Sequence, residues 1–288
     1  MKETIVMGAF TFVGYHLVQK LLSEGMNVLA LDVNDSMCLS EIEEEKLLLI
    51  GRHAGFTYDS LQKRKFEDDI QGIDTVYICL CEPNQASFQE SETMQLLERV
   101  IFACKEVNTK LVLLSSVHAS TVRFYEVTGV APKNTCENGS FFYKLEQMIA
   151  ELHRYAILQV PIVYGPWQPT FMMYHQLILD HSTNTNVKSM EEQGGSIVYV
   201  EDVAESLYYF GEQQELTGCY YMQSKEEREW KQGFELLRRT KNMDILEKGS
   251  VKRATQPFVY NPKYSLQEGL ERQILHVKKY KSLYEKMC

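Results

Sequence analysis

The sequence predicts a doubly wound α/β fold, a parallel sheet with helices on both faces, and three observations carry that prediction. The opening reads as strand, glycine turn, helix, strand and acid: an apolar run at residues 4–7, then Gly8-Ala9-Phe10-Thr11-Phe12-Val13-Gly14, a helical stretch, and Asn27-Val28-Leu29-Ala30-Leu31-Asp32. Further along, apolar runs alternate with segments of helical periodicity. With 288 residues and 44% hydrophobic content, the chain can bury a core large enough for one such domain and a small appendage.

The first unit has the order of a dinucleotide-binding βαβ motif in a Rossmann-type fold. Gly8 allows a sharp turn after the strand, and Gly14 lets the helix lie close on the sheet, with the helix N-terminus facing a pyrophosphate. Asp32, eighteen residues after Gly14, can accept hydrogen bonds from an adenosine ribose diol, and its charge disfavours a 2′-phosphate. NAD is therefore expected over NADP. Thr11 stands where a middle glycine would let the backbone approach the phosphates, so the fingerprint is complete in layout and altered in chemistry.

After Asp32 come an acidic helical stretch at 40–46, a third strand at 47–50, and an irregular polar segment to Gly72. Residues 74–81 read as a buried parallel strand, 94–107 as a helix, and 110–116 as a strand ending in the hydroxyls of Ser115 and Ser116. A polar loop at 131–139 leads to a helix at 141–153 with Ser140 as its N-cap, then a strand at 155–160 and the turn Val163-Tyr164-Gly165-Pro166. A strand at 196–200 follows, with Asp202 capping a helix over 203–210. The expected division is a nucleotide-binding domain at 1–166, rejoined by 196–211, and a C-terminal substrate lobe from 167–195 and 212–288.

A net charge of −9 argues against nucleic acid as partner, and the basic residues Lys278, Lys279 and Lys281 read as a solvated helix face. No apolar run is long enough to span a bilayer, and the N-terminus enters a strand directly, so a cytoplasmic location is expected. Seven cysteines without repeated ligand spacing fit a reducing compartment and no metal site. Cys79 and Cys81 share a strand face and read as buried small hydrophobes rather than zinc ligands.

Several separated segments together resemble the extended short-chain dehydrogenase/reductase family of NAD-dependent epimerases and dehydratases. They are the glycine turn, Leu114-Ser115-Ser116, Pro161-Ile162-Val163-Tyr164-Gly165-Pro166, Val198-Tyr199-Val200-Glu201-Asp202-Val203-Ala204 and Tyr264-Ser265-Leu266-Gln267-Glu268-Gly269-Leu270. The resemblance implies cofactor contacts from Gly8, Phe10, Thr11, Phe12, Val13, Gly14, Asp32, Cys79, Leu80 and Lys144. It also implies a nucleotide-linked sugar or related carbonyl substrate, and a homodimer formed through the helices at 94–107 and 141–153.

In that family a tyrosine and a lysine four residues on share a helix face, and the lysine charge lowers a phenol pKa that starts near about 10, so the phenol can exchange a proton with a sugar hydroxyl. A strand-end hydroxyl assists. Ser116 matches that hydroxyl and Lys144 the lysine, yet Ser140 occupies the tyrosine position. Tyr143 is one turn beyond Ser140 and off its face, and reads either as a rescue or as core packing with Phe141 and Phe142. Gln159 stands where the family often has arginine, while His118 and Tyr125 are candidate replacement acid–base groups. The aromatics Phe171, Tyr174 and Trp230, with Met172 and Met173, read as a cover for substrate or as ordinary core.

Two functions follow from these residues: an NAD-dependent enzyme acting on a nucleotide-linked sugar, and a catalytically inactive descendant that senses nucleotide or binds a protein. A purely structural partner of an active paralogue is a third.

Overall fold

The computed structural model describes residues 2–32, 39–61, 66–80, 90–117, 119, 137–179, 195–226, 229–238 and 255–286. Ten strands and ten helices are found among them: β1 (Glu3–Met7), α1 (Phe12–Ser23), β2 (Asn27–Asp32), α2 (Glu41–Ile50), β3 (Phe56–Ser60), α3 (Phe66–Asp69), β4 (Thr75–Ile78), α4 (Glu90–Val107), β5 (Lys110–Ser116), α5 (Glu137–Ile149), β6 (Tyr155–Val160), β7 (Ile162–Tyr164), α6 (Met173–Ile178), β8 (Ile197–Tyr199), α7 (Val200–Glu212), β9 (Gly218–Ser224), α8 (Trp230–Arg238), β10 (Gln256–Tyr260), α9 (Leu266–Lys279) and α10 (Lys281–Glu285).

Eight strands form one parallel sheet in the order β10-β9-β6-β5-β4-β1-β2-β3, and β7 pairs with β8 in a separate parallel sheet. Chain order reverses between β1 and β4, which makes their carboxyl ends the switch point where doubly wound sheets hold ligands. Both faces are covered. Val6, Val112, Leu114 and Leu158 belong to the core beneath α1 and α7, whereas Ile5, Met7, Leu111 and Leu113 belong to the core beneath α4 and α5. That alternation is the two-residue period of a strand buried on both sides.

Several boundaries differ from the sequence reading. Residues 47–50 continue α2 rather than forming a strand, because Ser40 and Glu43 make a reciprocal capping box that launches a helix through Ile50. Its leucines are spread around the helix, Leu48 being 73% exposed, while Lys46 and Ile50 face inward. The third strand is instead β3, with Phe56 and Ser60 buried. Helix α5 starts at Glu137, so Ser140 lies within the helix and is not its N-cap. Asp202 sits in the first turn of α7, whose N-cap is Tyr199, and accepts a hydrogen bond from the Lys263 backbone N–H at 3.0 Å. Of the stretch 212–288 expected in the C-terminal lobe, β9 and β10 pair instead into the main sheet.

The aromatics after the glycine-proline turn build a third core. Tyr174 stacks on Trp230 with ring centroids 5.9 Å apart, and both are fully buried with Tyr164, Tyr199 and Phe234. These rings fill a core rather than cover a ligand, because their apolar area is consumed by one another. Phe171 alone of the named aromatics is exposed.

Trp167 joins this part of the chain to α1. Its backbone is left-handed at φ 66°, a strain of about 1–3 kcal/mol for a bulky residue. Neighbouring bonds hold it there: Gln168 donates its backbone N–H to Gly165 O and its side-chain amide to Val163 O, and Gln273 donates to Gln168 Oε1. The buried indole meets His276 at 4.4 Å, Tyr280 at 4.8 Å and Tyr15 at 6.0 Å. Beside it, His16 Nε2 donates to the Pro166 carbonyl at 2.9 Å, and His276 Nε2 lies 3.0 Å from the Tyr284 hydroxyl.

Burial pushes the His16 imidazole down to about 4, outweighing its bond to Pro166, and burial with the neighbouring His16 and His175 pushes His276 down to about 3. Both values lie below that of an unfolded histidine. As pH falls below about 6.5 the unfolded chain gains protons that the folded chain refuses, so stability is lost progressively, down to about pH 4 on account of His16 and about pH 3 on account of His276. Each imidazole contributes about 1.4 kcal/mol per pH unit to that loss. Urea unfolding at pH 7 and pH 5 should therefore show a His276→Gln variant losing about 2 kcal/mol less than the parent over this interval. Parallel losses in both proteins would contradict the assignment.

Candidate functional site

The crevice at the switch point is built by the turn after β1 and by the end of β4. Gly8 has φ 76°, and a Cβ there would lie 2.7 Å from the Cys79 carbonyl oxygen and 3.1 Å from Leu80 Cδ2. Only glycine permits both the conformation and the approach. The turn is stitched to its surroundings by backbone bonds: Gly8 N–H donates to Leu31 O at 3.0 Å, Cys79 N–H to Met7 O at 2.9 Å, and Thr11 N–H to Gly8 O at 3.1 Å. Gly14 sits so close beneath the turn that a Cβ would come 1.9 Å from Gly8 O.

Thr11 takes an ordinary extended conformation, φ −62° and ψ 168°, so the missing middle glycine leaves no strained dihedral. Its side chain turns back into the protein. The hydroxyl shares its proton between the carbonyls of Gly8 and Cys79, each 2.8 Å away, and accepts from Gly14 N–H at 3.1 Å as the N-cap of α1. Phe10 and Phe12 are buried, Phe10 edge-on to Tyr58 at 4.8 Å, and Val13 is buried with them. The Cys79 thiol is fully buried and its pKa is pushed far up by burial, so it packs as an apolar group.

Asp32 ends β2, one residue beyond the Leu31 carbonyl that Gly8 uses, and lies opposite Ser60 of β3. Ser116 ends β5, the strand beyond β4, opposite Val160. Gly8, Asp32, Cys79 and Ser116 thus lie at the carboxyl ends of neighbouring strands, while Phe12, Val13 and Gly14 open α1 and Lys144 is carried by α5. His118, Tyr125 and Cys81 fall outside the described residues, among which no three histidine, cysteine or carboxylate side chains are grouped to hold a metal. No described helix is long and apolar enough to cross a membrane.

The model of the NAD dependent epimerase/dehydratase family matches residues 4–219, three quarters of the chain. The chain belongs to that family. An uncharacterized UDP-glucose epimerase of Bacillus subtilis (strain 168), YtcB, is 26% identical over 200 residues, a segment spanning 62% of either protein and so less than two thirds of that relative. Among solved structures the fold resembles dTDP-glucose 4,6-dehydratase from Bacillus anthracis str. Ames in complex with NAD, with a TM-score of 0.74 at 15% identity and full coverage of both chains. It also resembles UDP-glucuronic acid 4-epimerase from Bacillus cereus in complex with NAD, with a TM-score of 0.71 at 17% identity, covering 96% of this chain and 99% of that one.

In this epimerase/dehydratase fold, α5 carries the residues expected to handle protons. Ser140 and Lys144 are both exposed and lie four residues apart on one face. Tyr143 is half-buried and packs against the core beneath α4 and α5, the side on which Phe141 and Phe142 are buried.

Among the buried charged residues that the sequence does not announce, two touch this part of the fold. Glu146, 4% exposed on α5, accepts from Ser115 Oγ at 2.6 Å and from the Gln159 side-chain amide at 2.8 Å. Gln159 in turn accepts from Thr255 Oγ1 at 3.4 Å. The amide at position 159 therefore serves as a neutral donor to a carboxylate inside the fold, tying α5 to the ends of β5 and β6. Lys46 of α2 is 3% exposed and donates to the Phe10 carbonyl at 2.6 Å. The signal for both was periodic: Ile42, Lys46 and Ile50, like Phe142 and Glu146, are four apart on an inward stripe.

The crowding at Gly14 and the capping at Thr11 predict different penalties. Gly14→Ala must displace the turn and should lower stability by about 1–3 kcal/mol and abolish dinucleotide binding, whereas Thr11→Ala, losing a cap, should cost about 1 kcal/mol. Thermal melts and nucleotide titration of both variants read this difference.

Proposed function

We propose that this chain binds NAD in the crevice between β1 and β4 and acts on a nucleotide-linked sugar or a related carbonyl or hydroxyl substrate. The observation that carries the reading is the tight turn at Gly8, Thr11 and Gly14, packed so closely on Cys79 and on α1 that no Cβ fits at residue 8 or 14, which sets the N-terminus of α1 at the carboxyl end of β1 beside a carboxylate at the end of β2. The names of the relatives support the substrate class, since YtcB is called a UDP-glucose epimerase and the structural neighbours act on UDP- or dTDP-linked sugars.

Residue roles follow from position. Asp32 accepts hydrogen bonds from a ribose diol, the turn Gly8, Phe10, Thr11, Phe12, Val13 and Gly14 carries the diphosphate over the α1 N-terminus, and Cys79 and Leu80 wall the crevice by backbone and side chain. A bound NAD supplies the hydride acceptor. Ser116 holds a substrate oxygen by its hydroxyl, and Lys144 supplies positive charge beside Ser140. Homodimerisation through α4 and α5 and a cytoplasmic setting are part of this reading, the first supported by Phe102 standing 62% exposed on α4, the second by the free thiols of Cys79 and Cys104.

One observation favours the second reading, binding without turnover: Tyr143 packs into the core and Ser140, which is not acidic enough to replace a phenol, is left at the site. Calorimetric titration of nucleotide-free protein with NAD, NADH and NADPH, followed by turnover assays on UDP- and dTDP-sugars, separates the two. Micromolar NAD binding that Asp32→Ala weakens by about ten- to a hundredfold supports the proposal, and no binding of any of the three overturns it. Ser140→Tyr, which sets a phenol one turn from Lys144, should raise turnover by about 10²–10⁴-fold. Turnover by the unmodified chain favours an enzyme, and turnover only after that substitution favours the binding reading.

A further inference from the structure

The buried ammonium of Lys46 is not accounted for by packing. Taking a charge out of water is costly, and a methionine or leucine would fill the same inward position between Ile42 and Ile50. What the charge does is specific. Its Nζ donates to the carbonyl of Phe10, in the middle of the Gly8–Thr11 turn, at 2.6 Å. The same ammonium lies 5.7 Å from the centroid of the Tyr15 ring and 5.6 Å from that of Trp167, within the range in which an aromatic face attracts a cation.

The peptide joining Phe10 to Thr11 is thereby held at both ends, its carbonyl by Lys46 and its N–H by Gly8 O at 3.1 Å. The next side chain is held as well, by the three bonds of the Thr11 hydroxyl. A peptide fixed in this way has one orientation before any ligand arrives, which removes an ordering penalty from binding. Lys46 also brings a positive charge beneath a turn whose proposed ligand is a diphosphate. Its own position depends on Trp167, which is seated between α1 and the end of α9 by His276 and Tyr280. A second contact ties the same elements, Lys286 beyond α10 donating to Glu41 of α2 at 2.8 Å.

We propose that Lys46 is a positioning residue of the dinucleotide turn: its ammonium, seated on Trp167 and Tyr15, fixes the Phe10 carbonyl, prepares the turn for a diphosphate, and makes the site depend on the C-terminal helices. The proposal rests on the reading that the crevice takes NAD.

The test uses the full chain with Lys46→Met and Lys46→Arg, adding Lys46→Gln if the methionine variant does not fold. NAD, ADP-ribose and adenosine are titrated calorimetrically, and amide hydrogen exchange is followed in the nucleotide-free protein. Lys46→Met should weaken NAD and ADP-ribose by about tenfold or more, leave adenosine within about twofold, and be largely rescued by Lys46→Arg. Exchange at Thr11 and Gly14 should accelerate while the amide of Cys79 keeps its protection. Equal weakening of all three ligands, or unchanged exchange at Thr11 and Gly14, overturns the proposal. If the parent protein binds neither NAD nor ADP-ribose, the functional reading fails, and the exchange measurement still decides whether Lys46 holds the turn.

Discussion

The contact between the backbone of Gly8 and the carbonyl of Cys79 is the constraint on which the rest of this molecule depends. Two parallel strand ends meet there with no space for a side chain, and the chain leaves them in opposite directions. Because Gly8 closes the gap on β4, its carbonyl lies directly over Gly14, and α1 can descend onto the sheet only where residue 14 has no Cβ. The helix then buries Phe12, Val13, Leu17, Val18, Leu21 and Leu22 against the sheet and α7. At roughly 1.5–3 kcal/mol for each large apolar side chain, this burial outweighs any single polar bond in the turn. The polar bonds decide where the turn points, and the apolar face decides that it forms.

Thr11 shows how a departure from a sequence pattern can mislead. The glycine expected there serves two purposes, freedom of φ and absence of bulk, and these are separable. The observed φ of −62° shows that freedom of φ was not needed. The bulk remains, but the hydroxyl is folded inward between Gly8 O and Cys79 O, where it joins the two strand ends that the glycine contact brings together. The substitution therefore adds a tie to the crevice and uses the N–H of Gly14, so its effect on an anion is a matter of one donor and some space rather than of a broken turn.

Most of the fold of the N-terminal half was legible because its signals are local: Gly8 and Gly14 before a periodic helix, Asp32 at a strand end, and Ser115 and Ser116 closing an apolar run. Residues 47–50 were misread because four apolar residues in a row carry no period of their own, and the decisive signal was the Ser40–Glu43 box upstream. Ser140 was misread as a cap because the start of α5 depends on residues before the family motif. Lys46 and Glu146 were hidden by the habit of reading charge as surface. Both sit on inward stripes, and their partners, a carbonyl 36 residues away and a strand-end hydroxyl 31 residues away, exist only once the sheet is assembled.

Family membership and chemistry rest on different parts of this fold. The crevice depends on backbone geometry shared by β1, β4 and α1, which many side chains support and no single exposed residue can undo. The proton transfer that the family resemblance implies depends on one phenol beside one ammonium, and here position 140 is an exposed serine while Tyr143, three residues on, packs against the core that holds Phe141 and Phe142. Ser115, Glu146 and Gln159 nevertheless keep α5 bound to the ends of β5 and β6, so Lys144 and Ser116 are still carried by the elements that would present them to a substrate. The scaffold of the site and its proton relay can therefore change independently, and it is the scaffold that this chain has reinforced.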